Sequence, residues 1–238
     1  SSPLPIRALA TYVTATSRGT TLTENGISIH TVEHLLAALY SQGVDHADIL
    51  IDGEELPIMD GSAQVFTQAI HQAGLKPLSR ERVPFVIAEP IWASLGKQKF
   101  LLAIPDEHFR VTFLAEYPGT LASSQLLTLE ITADYFAKEI AGARTFALWS
   151  EVEMLKSQGL AKGGSIDNAI VVYPDHYSSP LRFPDELVRH KILDLIGDLA
   201  LVGRPLIGHF IAVRSGHTLN TIFSKKILEK IESEEIHA

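Results

Sequence analysis

Short apolar runs broken by Thr, Ser, Gly and Asn occupy residues 6–29, a pattern that predicts irregular strands joined by turns. The period then changes. Val32, Leu35, Leu36 and Leu39 recur at helical spacing behind Thr31, a suitable N-cap, and Gly43 supplies a stop. Residues 47–52, Ala-Asp-Ile-Leu-Ile-Asp, read as a strand, and residues 62–73 as a second helix ended by Gly74. The polar, proline-containing stretch 76–83 marks a boundary. Runs at 84–93, 98–104 and 109–116 read as strands, and 132–140 and 147–157 as helices. A glycine-rich stretch from Gly159 leads into a strand at 169–173. A long helix over about 185–202 is closed by Gly203 and Pro205. A strand at 207–213 and a helix at 217–232 complete the pattern. Each half carries strands followed by helices, which predicts an α+β fold rather than a doubly wound parallel sheet.

Composition narrows the function classes. The 238 residues allow one large domain or two small ones, and 46% hydrophobic with 20% charged residues is enough for a core. The longest apolar stretch, Leu199 to Val213, is interrupted by Arg204 and His209 and falls short of the ~18 residues a membrane span needs. No integral membrane segment is therefore expected. The opening Ser-Ser-Pro-Leu-Pro has neither the basic nor the apolar region of a secretory signal. The chain has no cysteine, which excludes disulfides, thiol nucleophiles and Cys-ligated zinc and fits a cytosolic setting. A net charge of −8 without a basic run argues against a nucleic-acid partner. Any metal must be held by His, Asp and Glu.

Two segments offer such ligands. In Arg-His-Lys-Ile-Leu-Asp, His190 and Asp194 share one helical face, and Asp198 extends the row. The bland alternative is a solvated i,i+4 ion pair. However, the surrounding Ile192, Leu193, Leu195, Ile196 and Leu199 make this helix apolar nearly all round, and buried carboxylates need partners. Glu33 and His34 fall in the first turn behind Thr31, where the helix dipole favours a carboxylate and a neutral imidazole. The alternative there is an acidic first-turn residue beside a half-buried histidine. His30 reads as an exposed residue before the cap. Together His34, His190 and Asp194 would make the two-imidazole, one-carboxylate set of a catalytic zinc, or equally of a non-haem iron, with Glu33 able to take a proton from water. His217, after a strand and a glycine, suits either a catalytic acid or a polar helix start. Glu55 to Ala63 reads as a structural turn, with Asp60 or Ser62 as helix caps, and Gly159 to Ser165 lacks the ending of a phosphate-binding P-loop.

Six stretches in order resemble the UDP-3-O-acyl-N-acetylglucosamine deacetylase family, the zinc enzymes of lipid A biosynthesis. They are Thr-Val-Glu-His-Leu-Leu-Ala-Ala-Leu (31–39), Leu-Pro-Ile-Met-Asp-Gly-Ser-Ala (56–63), Ala-Arg-Thr-Phe (143–146), Gly-Leu-Ala-Lys-Gly-Gly-Ser-Ile-Asp-Asn-Ala-Ile-Val-Val (159–172), the run from Phe183 to Leu199, and Ser-Gly-His-Thr-Leu-Asn (215–220). The resemblance implies two similar α+β domains, 1–78 and 79–238, each a layer of strands on paired helices. The site would lie between them, and a small βαβ insert near 159–182 would pass the acyl chain. It implies Zn2+ on His34, His190 and Asp194. Glu33 would be the general base and His217 the general acid, with Asp198 orienting His217. Lys191 and Thr145 would stabilise an oxyanion. Phe146, Leu148, Gly164 and Ser165 would line the substrate site, and Lys99 would contact the uridine diphosphate. Leu148 departs from the aromatic residue of many members, and the family's opening strands, with their Gly-Leu-His-Thr-Gly-like motif, are missing here. The implied reaction removes the N-acetyl group of UDP-3-O-(3-hydroxyacyl)-N-acetylglucosamine in the cytoplasm of a Gram-negative-type bacterium, by a monomer. The alternatives are a non-catalytic sugar-nucleotide-binding homologue, an inactive fragment, or a non-haem iron enzyme.

Overall fold

The computed structural model describes residues 4–152 and 168–236. A 3-10 turn, Ala10–Tyr12, leads into an antiparallel meander of β1 (Val13–Ala15), β2 (Thr21–Glu24) and β3 (Ile27–Ile29). Asn25 and Gly26 both have positive φ, 54° and 77°, the tight hairpin turn that an Asn-Gly pair favours. Next come α1 (Glu33–Ser41) and α2 (Gln64–Ala73). Thr31 is not the N-cap expected of it. Its φ is +60°, and its hydroxyl donates to Glu55, so the side chain is turned away from the helix amides. Residues 47–52 do not form the expected strand either. They find no neighbouring strand among the described residues, and Leu50 is 90% exposed.

The main sheet contains β4 (Phe85–Val86), β5 (Ile91–Leu95), β6 (Lys99–Ile104), β7 (Phe109–Tyr117) and β8 (Ser123–Glu130), with the later β11 (Leu206–Val213) inserted at its centre. Strand β11 runs antiparallel to β6 and parallel to β4 and β7. The apolar run 84–93 is therefore two strands rather than one. Strand β8 escaped the pattern reading. Adjacent Leu126 and Leu127 break its alternation, and what makes it a strand is a full-length pairing with β7. Ala133–Tyr135 is one α turn continuing into a π-helical turn, Phe136–Ile140. Ala147 and Leu148, expected to begin a helix, belong instead to β9 (Phe146–Leu148), paired in parallel with β10 (Ile170–Val172); helix begins only at 149.

One face of the main sheet, with Leu101, Ala103, Val111, Phe113, Phe210 and Ala212, is buried under α3 (Glu186–Ala200) and α4 (His217–Ile236). The period-two alternation of β7 and β11 is that of a sheet covered on one side. Helix α3 is buried almost throughout, wedged between this sheet and α1. Gly197 permits that contact, because a Cβ there would lie 2.1 Å from the Glu33 carbonyl oxygen. A second apolar cluster joins Val13, Leu22, Val32, Leu36 and Leu56 to Leu201, and so ties the small meander to the end of α3. No helix among the described residues is long and apolar enough to cross a membrane. The architecture is α+β, as the pattern predicts.

Candidate active site

The close crossing of α1 and α3 brings the two ligand-bearing segments together. His190, Asp194 and Asp198 follow one another at four-residue steps, so all three lie on one face of α3. His34 approaches from the first turn of α1. Donor atoms of His34, His190 and Asp194 lie within 4.8 Å of one another, and all three residues are buried. Asp194 Oδ1 is 3.3 Å from His190 Nε2 and 3.7 Å from His34 Nε2, and the two rings meet edge to face.

Hydrogen bonding settles what these atoms can do. His190 Nδ1 is 3.0 Å from the Ala143 carbonyl oxygen, which can only accept, so Nδ1 carries the proton and Nε2 presents a lone pair. Burial pushes the His190 pKa down to about 3, keeping the ring neutral. Asp194 Oδ2 accepts from Lys191 Nζ at 2.7 Å, while Oδ1 is buried and has no hydrogen-bond partner among the described residues. An unpartnered buried carboxylate oxygen beside two imidazole nitrogens fits a divalent cation well. Burial opposes charge on Lys191, but Asp194 and Tyr117 outweigh it and raise its pKa, leaving a fixed cation at the edge of the cluster.

A second group adjoins the first. His217, at the start of α4, places Nδ1 2.9 Å from Asp198 Oδ2 and Nε2 3.9 Å from Asp194 Oδ2. Burial again disfavours charge, yet the carboxylates of Asp198 and Asp194 push the His217 pKa up to about 9. Asn220 Nδ2 also donates to Asp198 Oδ2, and Ser215 holds Asn220 in turn. Glu33 is buried, and its Oε2 accepts the Thr20 amide at 2.9 Å. Burial raises the Glu33 pKa, only partly countered by His217 and His34. A carboxylate made more basic and an imidazole kept protonated thus flank one cluster, the division expected of a general base and a general acid.

The third wall is β9 and the residues before it. Thr145 donates its amide to the Gly61 carbonyl at 2.7 Å, and Ile170 donates to Thr145. Gly61 has to be glycine, since its φ is +82° and a Cβ would lie 2.0 Å from the Asn168 carbonyl oxygen. The Asp60-Gly-Ser turn is thus structural, and Ser62 Oγ accepts from Gln64 N at the start of α2. Arg144 is anchored by a buried ion pair with Glu186 at 2.9 Å. The Phe146 ring meets His190 at 6.1 Å and Tyr117 at 5.3 Å, with Lys191 Nζ 5.5 Å away. Leu148 is half-buried on β9 beside a third apolar cluster that includes Ile170 and Leu187.

The fold therefore brings together Glu33, His34, His190, Lys191, Asp194, Asp198 and His217, with Phe146 against them. Lys99 stands apart, exposed at the first position of β6 in register with Leu95. Gly164 and Ser165 lie outside the described residues. His30 is exposed, and its Nδ1 lies 2.9 Å from Thr21 Oγ1. Pattern reading missed Thr20, Asn220 and the Ala143 carbonyl. Asn220 was within reach of it, being three residues beyond His217 on a helix; Thr20 and a backbone oxygen carried no such signal.

Comparison with known proteins agrees over nearly the whole chain. Residues 2–229 match the family model described as UDP-3-O-acyl N-acetylglycosamine deacetylase. A UDP-3-O-acyl-N-acetylglucosamine deacetylase of Geobacter sp. (strain M21) is 43% identical across 97% of this chain and 76% of its own length. Proteins of the same name from Myxococcus xanthus and Chlamydia abortus are 43% and 44% identical, covering 98% and 95% of this chain and 75% and 82% of their own lengths.

Proposed function

The chain belongs to the UDP-3-O-acyl-N-acetylglucosamine deacetylase family, and we propose that His34, His190 and Asp194 hold a catalytic zinc for that family's reaction. It is a hydrolase of lipid A biosynthesis that removes the N-acetyl group of a UDP-3-O-acyl-N-acetylglucosamine. The carrying observation is the convergence of two imidazole Nε2 atoms on Asp194 Oδ1, a buried oxygen with no hydrogen-bond partner among the described residues. These ligands stand on helices α1 and α3.

When bound, zinc supplies Lewis-acid polarisation of the amide carbonyl and lowers the pKa of a bound water. The chain's own residues do the rest. Glu33 takes the proton of the attacking water. The Lys191 ammonium and the Thr145 hydroxyl face the negative charge that develops on the carbonyl oxygen. His217 donates a proton from Nε2 to the departing nitrogen, and Asp198 holds the ring through Nδ1. Acetate and a free glucosamine amine result. Phe146 and Leu148 contact the substrate beside β9, together with Gly164 and Ser165, and Lys99 meets the uridine diphosphate. The same reading has a monomer acting in the cytoplasm of a Gram-negative-type bacterium, with a division into α+β units near residues 78 and 79.

The test is acetate release from a UDP-3-O-acyl-N-acetylglucosamine, comparing chelated with zinc-restored protein. Release restored by zinc supports the reading. No release from folded, zinc-loaded protein overturns it.

A further inference from the structure

Thr20 belongs to none of the motifs that carry the site, yet it is fully buried between the base and the acid. Its hydroxyl donates to Asp198 Oδ1 at 2.5 Å, and Thr20 Oγ1 itself lies 3.3 Å from His217 Nδ1. Its amide donates to Glu33 Oε2 at 2.9 Å. The preceding Gly19 leaves room for the other oxygen of Glu33, because a Cβ there would stand 3.0 Å from Oε1. The Thr20 carbonyl accepts the Val32 amide at 3.3 Å, which ties this turn to the approach into α1.

We infer that Thr20 is a positioning residue that holds Glu33 and the Asp198–His217 pair in one frame. This rests on the deacetylase reading above. Asp198 has two oxygens and three side-chain donors around them. His217 and Asn220 share Oδ2, so among the described residues Thr20 alone secures Oδ1. With Oδ1 held, the carboxylate cannot rotate about its bond to Cβ. The Nδ1 proton of His217 then stays directed at Oδ2 and at the Thr20 oxygen, and Nε2 stays directed into the cluster. The two functions of Thr20 come from different atoms. A hydroxyl change loosens the acid while the amide still holds the base.

Thr20→Val keeps the amide and the side-chain volume but removes the hydroxyl. In the zinc-loaded full chain we expect kcat to fall by about tenfold or more, in the range known for groups that orient a working residue, with KM within about twofold. In 15N-histidine-labelled protein, the Nδ1 proton resonance of His217 should shift or vanish into exchange with water. Thr20→Ser restores the hydroxyl and should recover both the rate and the resonance. The inference fails if Val leaves rate and resonance unchanged. It fails equally if Val and Ser slow turnover alike while the resonance stays in place, since that would be a packing effect. The resonance needs no substrate. A wild-type chain that releases no acetate therefore breaks only the deacetylase reading, and the Val-induced change at His217 still decides the contact.

Discussion

Asp194 and Asp198 stand one turn apart on α3, both buried and both beside a histidine, but their surroundings are opposite. Asp198 has donors on both oxygens, from Thr20, His217 and Asn220. Asp194 gives one oxygen to Lys191 and keeps the other without a hydrogen bond. The histidines diverge in step. His190, whose Nδ1 proton goes to a backbone carbonyl, is driven by burial to a pKa of about 3. His217 is buried too, yet Asp198 and Asp194 lift it to about 9. A carboxylate held by several donors is a fixed charge that orients its neighbour and keeps it protonated; one with an open oxygen is suited to a cation. Two aspartates one turn apart on the same helix are thus suited to different roles because their donor counts differ.

That contrast can be broken by substitution. The largest effect should come from Asp194→Asn, which removes the open anionic oxygen. Metal content by elemental analysis should fall to near zero and turnover to background, and a metal-replete, active variant would reverse the two roles. Glu33→Gln and His217→Gln should keep their metal while kcat drops roughly 10²–10⁴-fold, the usual worth of a general base or acid. Asp198→Asn should also keep its metal, with a loss of about 10²-fold, the upper range for an outer-shell partner.

Proton linkage sharpens the comparison further. In metal-free protein, His217 should titrate by NMR near pH 9, and Asp198→Asn should move it down toward its ordinary 6.5. Because the folded pKa lies above the unfolded one, the stability His217 contributes is complete below about pH 6.5. It is lost as pH rises through about 9. Urea unfolding of metal-free protein across that interval should show the decline, and His217→Gln should flatten it. The smallest effect is expected outside the cluster. Lys99→Ala should raise KM about tenfold with kcat unchanged, the size of one charge-assisted hydrogen bond to a diphosphate. An unchanged KM would remove Lys99 from the substrate site.

Much of this was legible in the residues. Helix α3 announces itself by its length and its apolar circumference, and its period places His190, Asp194 and Asp198 on one face. Strands β6, β7 and β11 follow from short apolar runs of strand length. The errors have local causes. Thr31 looks like a cap, but its hydroxyl is taken by Glu55. Residues 47–52 have strand composition, but a strand needs a neighbour to accept its hydrogen bonds. Phe146–Leu148 becomes β9 through pairing with β10 across a long separation in the chain. Strand β8 is held by β7 along its whole length despite a poor pattern.

The sequence alone determined the elements with a strong internal period, and the set of titratable residues that could carry the chemistry. Helical geometry is local, so spacing was enough to align three side chains on α3. Only the tertiary structure decided that α1 crosses α3 closely enough for His34 to join them, a contact that requires the missing side chain of Gly197. Only it brought Thr20 between Glu33 and Asp198, and only it left Asp194 with an open oxygen among the described residues while giving both oxygens of Asp198 donors. Those outcomes depend on which donors reach a buried carboxylate from distant parts of the chain, and no spacing along one segment encodes that.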